Sequence, residues 1–139
     1  MKKVLLVEDN VMFATLILSR LETIPGVQIC GVETIASEAI EAISIIQPDV
    51  VTLDVQLKVG SGLDVLRGIK GIPNPPRVIM LSNEDPYIFS ERCIFLGAED
   101  YFDKSMQFED FIEAIKQMVP VDQPIAISSE VPRQARLNE

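Results

Sequence analysis

Residues 50 to 62 read Val50-Val51-Thr52-Leu53-Asp54-Val55-Gln56-Leu57-Lys58-Val59-Gly60-Ser61-Gly62. A short, nearly unbroken apolar run ends on a carboxylate, and a Gly-Ser-Gly turn follows, with Gly62 eight residues beyond Asp54. Apolar residues at successive positions suit a strand buried on both faces, as in a parallel sheet. The pattern recurs along the chain. Glu8 and Asp9 follow Val4-Leu5-Leu6-Val7, Ser82 follows Val78-Ile79-Met80-Leu81, and Lys104 lies just beyond Tyr101-Phe102. Parallel strands end side by side, and ligands of such sheets bind outside their carboxyl ends. Three acids, a hydroxyl and an ammonium therefore converge on one pocket.

Working outward, the apolar pattern alternates between two periods. Strands are predicted at about 3–7, 27–32, 49–53, 77–81 and 99–102, and helices at about 10–23, 36–46, 62–70, 85–96 and 107–118. In the last helix, Phe108, Phe111, Ile112, Ile115 and Val119 fall along one side. Strict alternation with right-handed crossovers implies an α/β fold, a doubly wound five-stranded parallel sheet of order 2-1-3-4-5 with five helices, the flavodoxin-like arrangement. Its switch point lies between strands 1 and 3, which end in Glu8-Asp9 and Asp54. Pro25-Gly26, Gln47-Pro48 and the stretch Gly71 to Pro76 close the first three helices. Beyond Val119 the chain turns to Pro120, Pro124 and Pro132 among polar residues. Residues 1–120 are thus expected to form one domain, and 121–139 a flexible tail in which Ile125 to Ile127 could dock locally.

The chain has 139 residues and a formal charge of -9, with 47% apolar residues. That excess of acid excludes a long basic surface for phosphate backbones, so direct nucleic-acid binding is not expected. The apolar run before Glu8 is too short for a signal-peptide core, and no run approaches the roughly 20 residues of a membrane span. A cytoplasmic protein without membrane contact is expected. Cys30 and Cys93 have no metal-type spacing and read as buried small apolar residues. The chain contains no histidine, which removes histidine-based catalysis and requires any phosphohistidine donor to be another protein.

Taken together, the acidic pair in VLLVEDN, the segment VVTLDVQLKVGSG, the strand end VIMLSNE and GAEDYFDKS resemble the receiver domain of two-component response regulators, of the chemotaxis-regulator type. The resemblance spans about residues 2 to 119. It implies that Asp54 is phosphorylated, with Mg2+ as cofactor. Asp9 and Asp54 would be direct metal ligands, Glu8 would act mostly through water, and the backbone carbonyl of Gln56 would complete the protein's share. Such a set suits a hard divalent ion, which takes oxygen ligands and relieves repulsion among clustered acids. Lys104 would bind phosphoryl oxygens, Ser82 would move inward to donate its hydroxyl, and Tyr101 would rotate with it as a switch. The implied partners are a histidine kinase or histidine phosphotransfer protein and a downstream protein docking on helix 4, strand 5 and helix 5. A phosphorylation-dependent homodimer is a further option. The protein would be no enzyme beyond its own phosphorylation and dephosphorylation.

Each residue has a plainer reading alone: Glu8-Asp9 or Ser82 as a helix cap, Asp54 as a turn residue, Lys104 as a solvated charge, Tyr101 as a core aromatic. The joint pattern decides against these. Lys58 and Arg67 remain surface charges, and Gly60-Ser61-Gly62 lacks the spacing of a nucleotide-binding loop. The sequence departs from the family at Lys58 and Ser105, where proline is usual, and at Asn83, where a smaller residue is. Asn83 could cover the pocket, and Ser105 leaves open how the loop presents Lys104. Two alternatives compete with a stand-alone regulator: the receiver part of a longer transcriptional regulator, and a hydrolase using an aspartyl phosphate. The latter would normally carry a second acid in a DxD pattern, and Asp54-Val55-Gln56 lacks it.

Overall fold

A computed structural model of the chain describes residues 1–120; the expected tail, 121–139, lies outside the described residues. The elements alternate as β1 (Lys2–Val7), α1 (Val11–Leu21), β2 (Val27–Glu33), α2 (Ala36–Ile46), β3 (Val50–Leu53), α3 (Gly62–Gly68), β4 (Arg77–Ser82), α4 (Pro86–Phe95), β5 (Asp100–Asp103) and α5 (Phe108–Met118). The strands form one parallel sheet in the order β2-β1-β3-β4-β5. Fold and element positions match the sequence reading, with shifts of one or two residues at most ends.

Successive strand residues point to opposite faces, and the core divides accordingly. Leu5, Val7, Val51, Leu53, Val78 and Met80 pack with Ala39 and Ile43 of α2 and Val65 and Leu66 of α3. Val4, Leu6, Val50, Ile79 and Leu81 pack on the other face with Ile17 and Leu21 of α1 and Phe111, Ile112 and Ile115 of α5. Met118 joins the α5 stripe, and Cys93 is fully buried. Cys30 is only half-buried, because β2 is the sheet edge and its residues alternate between partial cover and exposure. Thr52 brings a hydroxyl into the centre of β3 that has no hydrogen-bond partner among the described residues. No helix among them is long and apolar enough to cross a membrane.

The register brings the strand ends into one row. Val7 pairs with Leu53, Leu53 with Met80, and Ser82 with Asp103. The ladder then runs one step further: Asp54 N donates to Val7 O at 3.1 Å and Lys104 N to Ser82 O at 3.0 Å. The backbones of Asp54 and Lys104 are therefore placed by extensions of the sheet ladder.

Candidate functional site

Local sequence turns the chain sharply at each strand end. Asn10 caps α1 by accepting from Phe13 N at 2.8 Å, and Asn10 N donates to Glu8 Oε2 at 3.0 Å, so the acidic pair lies between strand and helix. After β3, Gly62 N donates to Val55 O at 2.7 Å. A Cβ at Gly62 would collide with the Asp54 carbonyl oxygen and lie 3.1 Å from the Val55 Cα. Only glycine lets α3 start so close to the Asp54 backbone. Ser61 and Asp64 form the capping box that holds that start.

Lys104 lies at the centre. Its Nζ donates to Asp54 Oδ2 at 2.7 Å and pairs with Glu8 Oε1 at 2.8 Å, with the lysine side chain only 9% exposed. Burial opposes its charge, but the hydrogen bonds to Asp54 and Glu8 outweigh burial and hold its pKa above the usual lysine value. Burial raises the Glu8 pKa above the usual glutamate value, against the hydrogen bonds from Lys104 and Asn10. Asp9 is half-buried. Carboxylate oxygens of Glu8, Asp9 and Asp54 lie within 4.8 Å of one another. They border a cavity of about 200 Å³ with Asn10, Gln56, Asn83, Glu84 and Lys104. Among the described residues, three carboxylates thus face one ammonium. Oxygen donors with an uncompensated negative charge fit a hard divalent cation such as Mg2+.

Ser82 is fully buried and does not line that cavity; its Oγ accepts from Glu84 N at 3.1 Å. Tyr101 is also buried, and its hydroxyl donates to Glu84 O at 2.9 Å. Burial pushes its phenol up to about 12. Both residues named as a switch therefore contact the same loop residue.

Three arrangements were not foreseen from sequence. Glu8 is a direct partner of Lys104, whereas the sequence reading gave it a metal role, mostly through water, and no contact with the lysine. The loop after β5 is held by Asp103, whose Oδ2 accepts from Ser105 N at 3.0 Å and Met106 N at 2.8 Å. Asp103 thus ties down the backbone at Ser105, the position where the family usually has proline. Ser105 Oγ also donates to Asn83 Oδ1 at 3.3 Å, so two of the departures from the family pattern meet at Asn83, which lines the cavity. Lastly, Lys104 Nζ stands 4.6 Å from the centre of the Phe13 ring. Lys58, as expected, is exposed, and Arg67 forms an exposed pair with Asp64 at 3.5 Å.

The family model described as the response regulator receiver domain matches residues 4–116. The chain belongs to the response regulator receiver family. It is a receiver of the two-component type, and among its relatives is a protein-glutamate methylesterase/protein-glutamine glutaminase of Desulfotalea psychrophila. That relative is 31% identical over 107 residues, covering 76% of this chain and 29% of the relative, so this receiver chain spans under a third of that relative's length. The chemotaxis protein CheY of Thermotoga maritima is 28% identical over 117 residues, covering 84% of this chain and 97% of CheY. The crystal structure of the response regulator domain of Thermotoga maritima CheB shares the fold, with a TM-score of 0.73 at 24% identity, covering 85% of this chain and 92% of that one.

Proposed function

We propose that this receiver, carried by residues 1–120, works in the cytoplasm and accepts a phosphoryl group on Asp54 from a phosphohistidine of a histidine kinase or phosphotransfer protein. A carboxylate oxygen of Asp54 attacks phosphorus in line, the P–N bond breaks as the P–O bond forms, and the imidazole leaves with a proton from solvent. The single observation that carries this reading is the Lys104 ammonium 2.7 Å from Asp54 Oδ2 within an acid cluster that exceeds it in charge. Asp9, Asp54 and the Gln56 carbonyl would hold Mg2+, with Glu8 acting mostly through water. The ion supplies charge neutralisation and oxygen coordination. Lys104 exchanges Asp54 Oδ2 for a phosphoryl oxygen and balances the charge that the phosphate adds.

Ser82 gives up its contact with Glu84 N to donate to the phosphoryl group, and Tyr101, bonded to Glu84 O, senses the loop's new position. A modification shifts a two-state element only through contacts that differ between the states. The readout surface is α4, β5 and α5. Its support is an exposed apolar group on α4: Tyr87 at 99%, Phe95 at 83%, with Ile88 and Ile94. A protein partner covers it in the phosphorylated state.

The test is intact-mass analysis of wild type and Asp54→Asn after incubation with a small acyl phosphate, with and without Mg2+. One phosphoryl increment is expected in wild type with Mg2+ only. Equal incorporation by Asp54→Asn would refute the assignment.

A further inference from the structure

We propose that Phe13 is a positioning residue for Lys104, its ring face holding the ammonium at the pocket while it changes partners from carboxylate to phosphoryl oxygen. This inference rests on the phosphoacceptor reading of Asp54. A lysine has three N–H donors. Glu8 and Asp54 account for two partners of Nζ, at 2.8 and 2.7 Å, and the Phe13 ring centre at 4.6 Å is the third neighbour. An ammonium within about 6 Å of an aromatic face is attracted by the ring quadrupole, the more so when water is excluded. The lysine side chain is 9% exposed.

The ring is itself held on two sides. The α1 cap fixes the backbone, with Phe13 N on Asn10 Oδ1 at 2.8 Å. Phe108 of α5 meets the ring edge-on at 5.8 Å and 72°, and packs in turn on Phe111 at 6.0 Å. Arg20 covers Phe108 at 5.6 Å and is fixed by two 2.7 Å bonds to Glu109. The face offered to Lys104 is therefore braced by α5.

Phosphorylation replaces the Asp54 Oδ2 contact, and during that exchange a flexible four-carbon stem could carry the charge out to water. An aromatic wall opposes this without adding a charge that would repel phosphate. An aliphatic side chain would fill the same space and attract nothing. Phe13 is only half-buried and borders a hollow of about 420 Å³ beside the acid cavity. Core packing accounts for its α5 side, not for the side turned to Lys104.

The test replaces Phe13 with mono-, di- and trifluorinated phenylalanines, which keep the ring's size while its quadrupole weakens stepwise, and with Leu and Tyr. Two quantities are read on the full chain: the NMR shift of the Lys104 Cε protons without any donor, and the rate of phosphate uptake from an acyl phosphate with Mg2+. The expected results are upfield-shifted Cε protons in wild type, lost in Phe13→Leu. The uptake rate should fall stepwise with fluorination, by roughly threefold to tenfold overall, with Phe13→Tyr close to wild type. Equal rates across the fluorinated series, or unchanged Cε shifts in Phe13→Leu, would overturn the proposal. If wild type takes up no phosphate, the phosphoacceptor reading fails by itself, and the Cε shifts still decide whether the ring holds the ammonium.

Discussion

The two ends of the sheet carry the same kinds of charge and use them in opposite ways. At the amino end, Arg77 opens β4 and meets Glu99 at 2.9 Å with about half of each side chain in solvent (51% and 43% exposed). Lys3 and Asp49 close chain ends there: Asp49 Oδ2 accepts from Lys3 N at 2.7 Å, and Lys3 Nζ caps the α2 carbonyl of Ile46 at 2.8 Å. At the carboxyl end, Glu8 and Asp54 are buried around one ammonium, and Asp9 adds a third acid. Exposed pairs contribute little because water already solvates both partners. A buried cluster with surplus charge costs stability and persists because the surrounding fold imposes it. Imbalance, more than charge, marks where a ligand belongs.

The largest effect should come from removing the cation at each end. Lys104→Met leaves two buried carboxylates unpaired and should cost about 3 kcal/mol or more in urea unfolding at neutral pH with chelator present. Arg77→Met, breaking an exposed pair, should cost under about 1 kcal/mol. Similar losses at both ends would erase the distinction.

How much of this contrast was legible beforehand depends on its geometry. The strand-end position of Glu8, Asp9, Asp54, Ser82 and Lys104 is a one-dimensional property, fixed once the apolar runs are read as parallel strands. The spacing of Gly62 from Asp54 is equally linear, and its reason, the close approach of α3 to the Asp54 carbonyl, emerges only in three dimensions. Phe13 was invisible as a neighbour of Lys104 because helical periodicity gives α1 a face but not the depth at which that face crosses a distant strand end. Asp103 was missed for a related reason. A carboxylate beside a turn reads as solvated until its two backbone donors, Ser105 and Met106, are placed.

A second test separates acids within the carboxyl end. Glu8 already has Lys104 as a partner, whereas Asp9 is half-buried and faces the cavity. Asp9→Ala should weaken Mg2+ binding by roughly tenfold or more, as expected for a lost direct ligand, and Glu8→Ala by less, read from magnesium-dependent shifts in thermal midpoint. If Glu8→Ala alone abolished the shift, the roles would be reversed.

At neutral pH the smallest effect concerns Tyr101, the phenol buried beside that end, whose contribution changes only in alkali. In a Tyr87→Phe chain it is the one tyrosine left, and its ultraviolet titration should centre near about 12. Because burial raises the folded-state pKa from 10.0 to about 12, the unfolded chain loses its proton first as pH rises. This contribution to stability is complete below about 10 and is lost between about 10 and about 12. Titration near the ordinary phenol value in the folded chain would place the ring outside the core.

The most direct test locates the modified atom. Borohydride reduces an aspartyl phosphate to homoserine, so the chain is incubated with an acyl phosphate and Mg2+, reduced, digested and sequenced by tandem mass spectrometry. Homoserine at position 54, appearing only with Mg2+, is the predicted result. Homoserine at Asp9, or acid-stable phosphate on Ser82 with Asp54 unchanged, would contradict it.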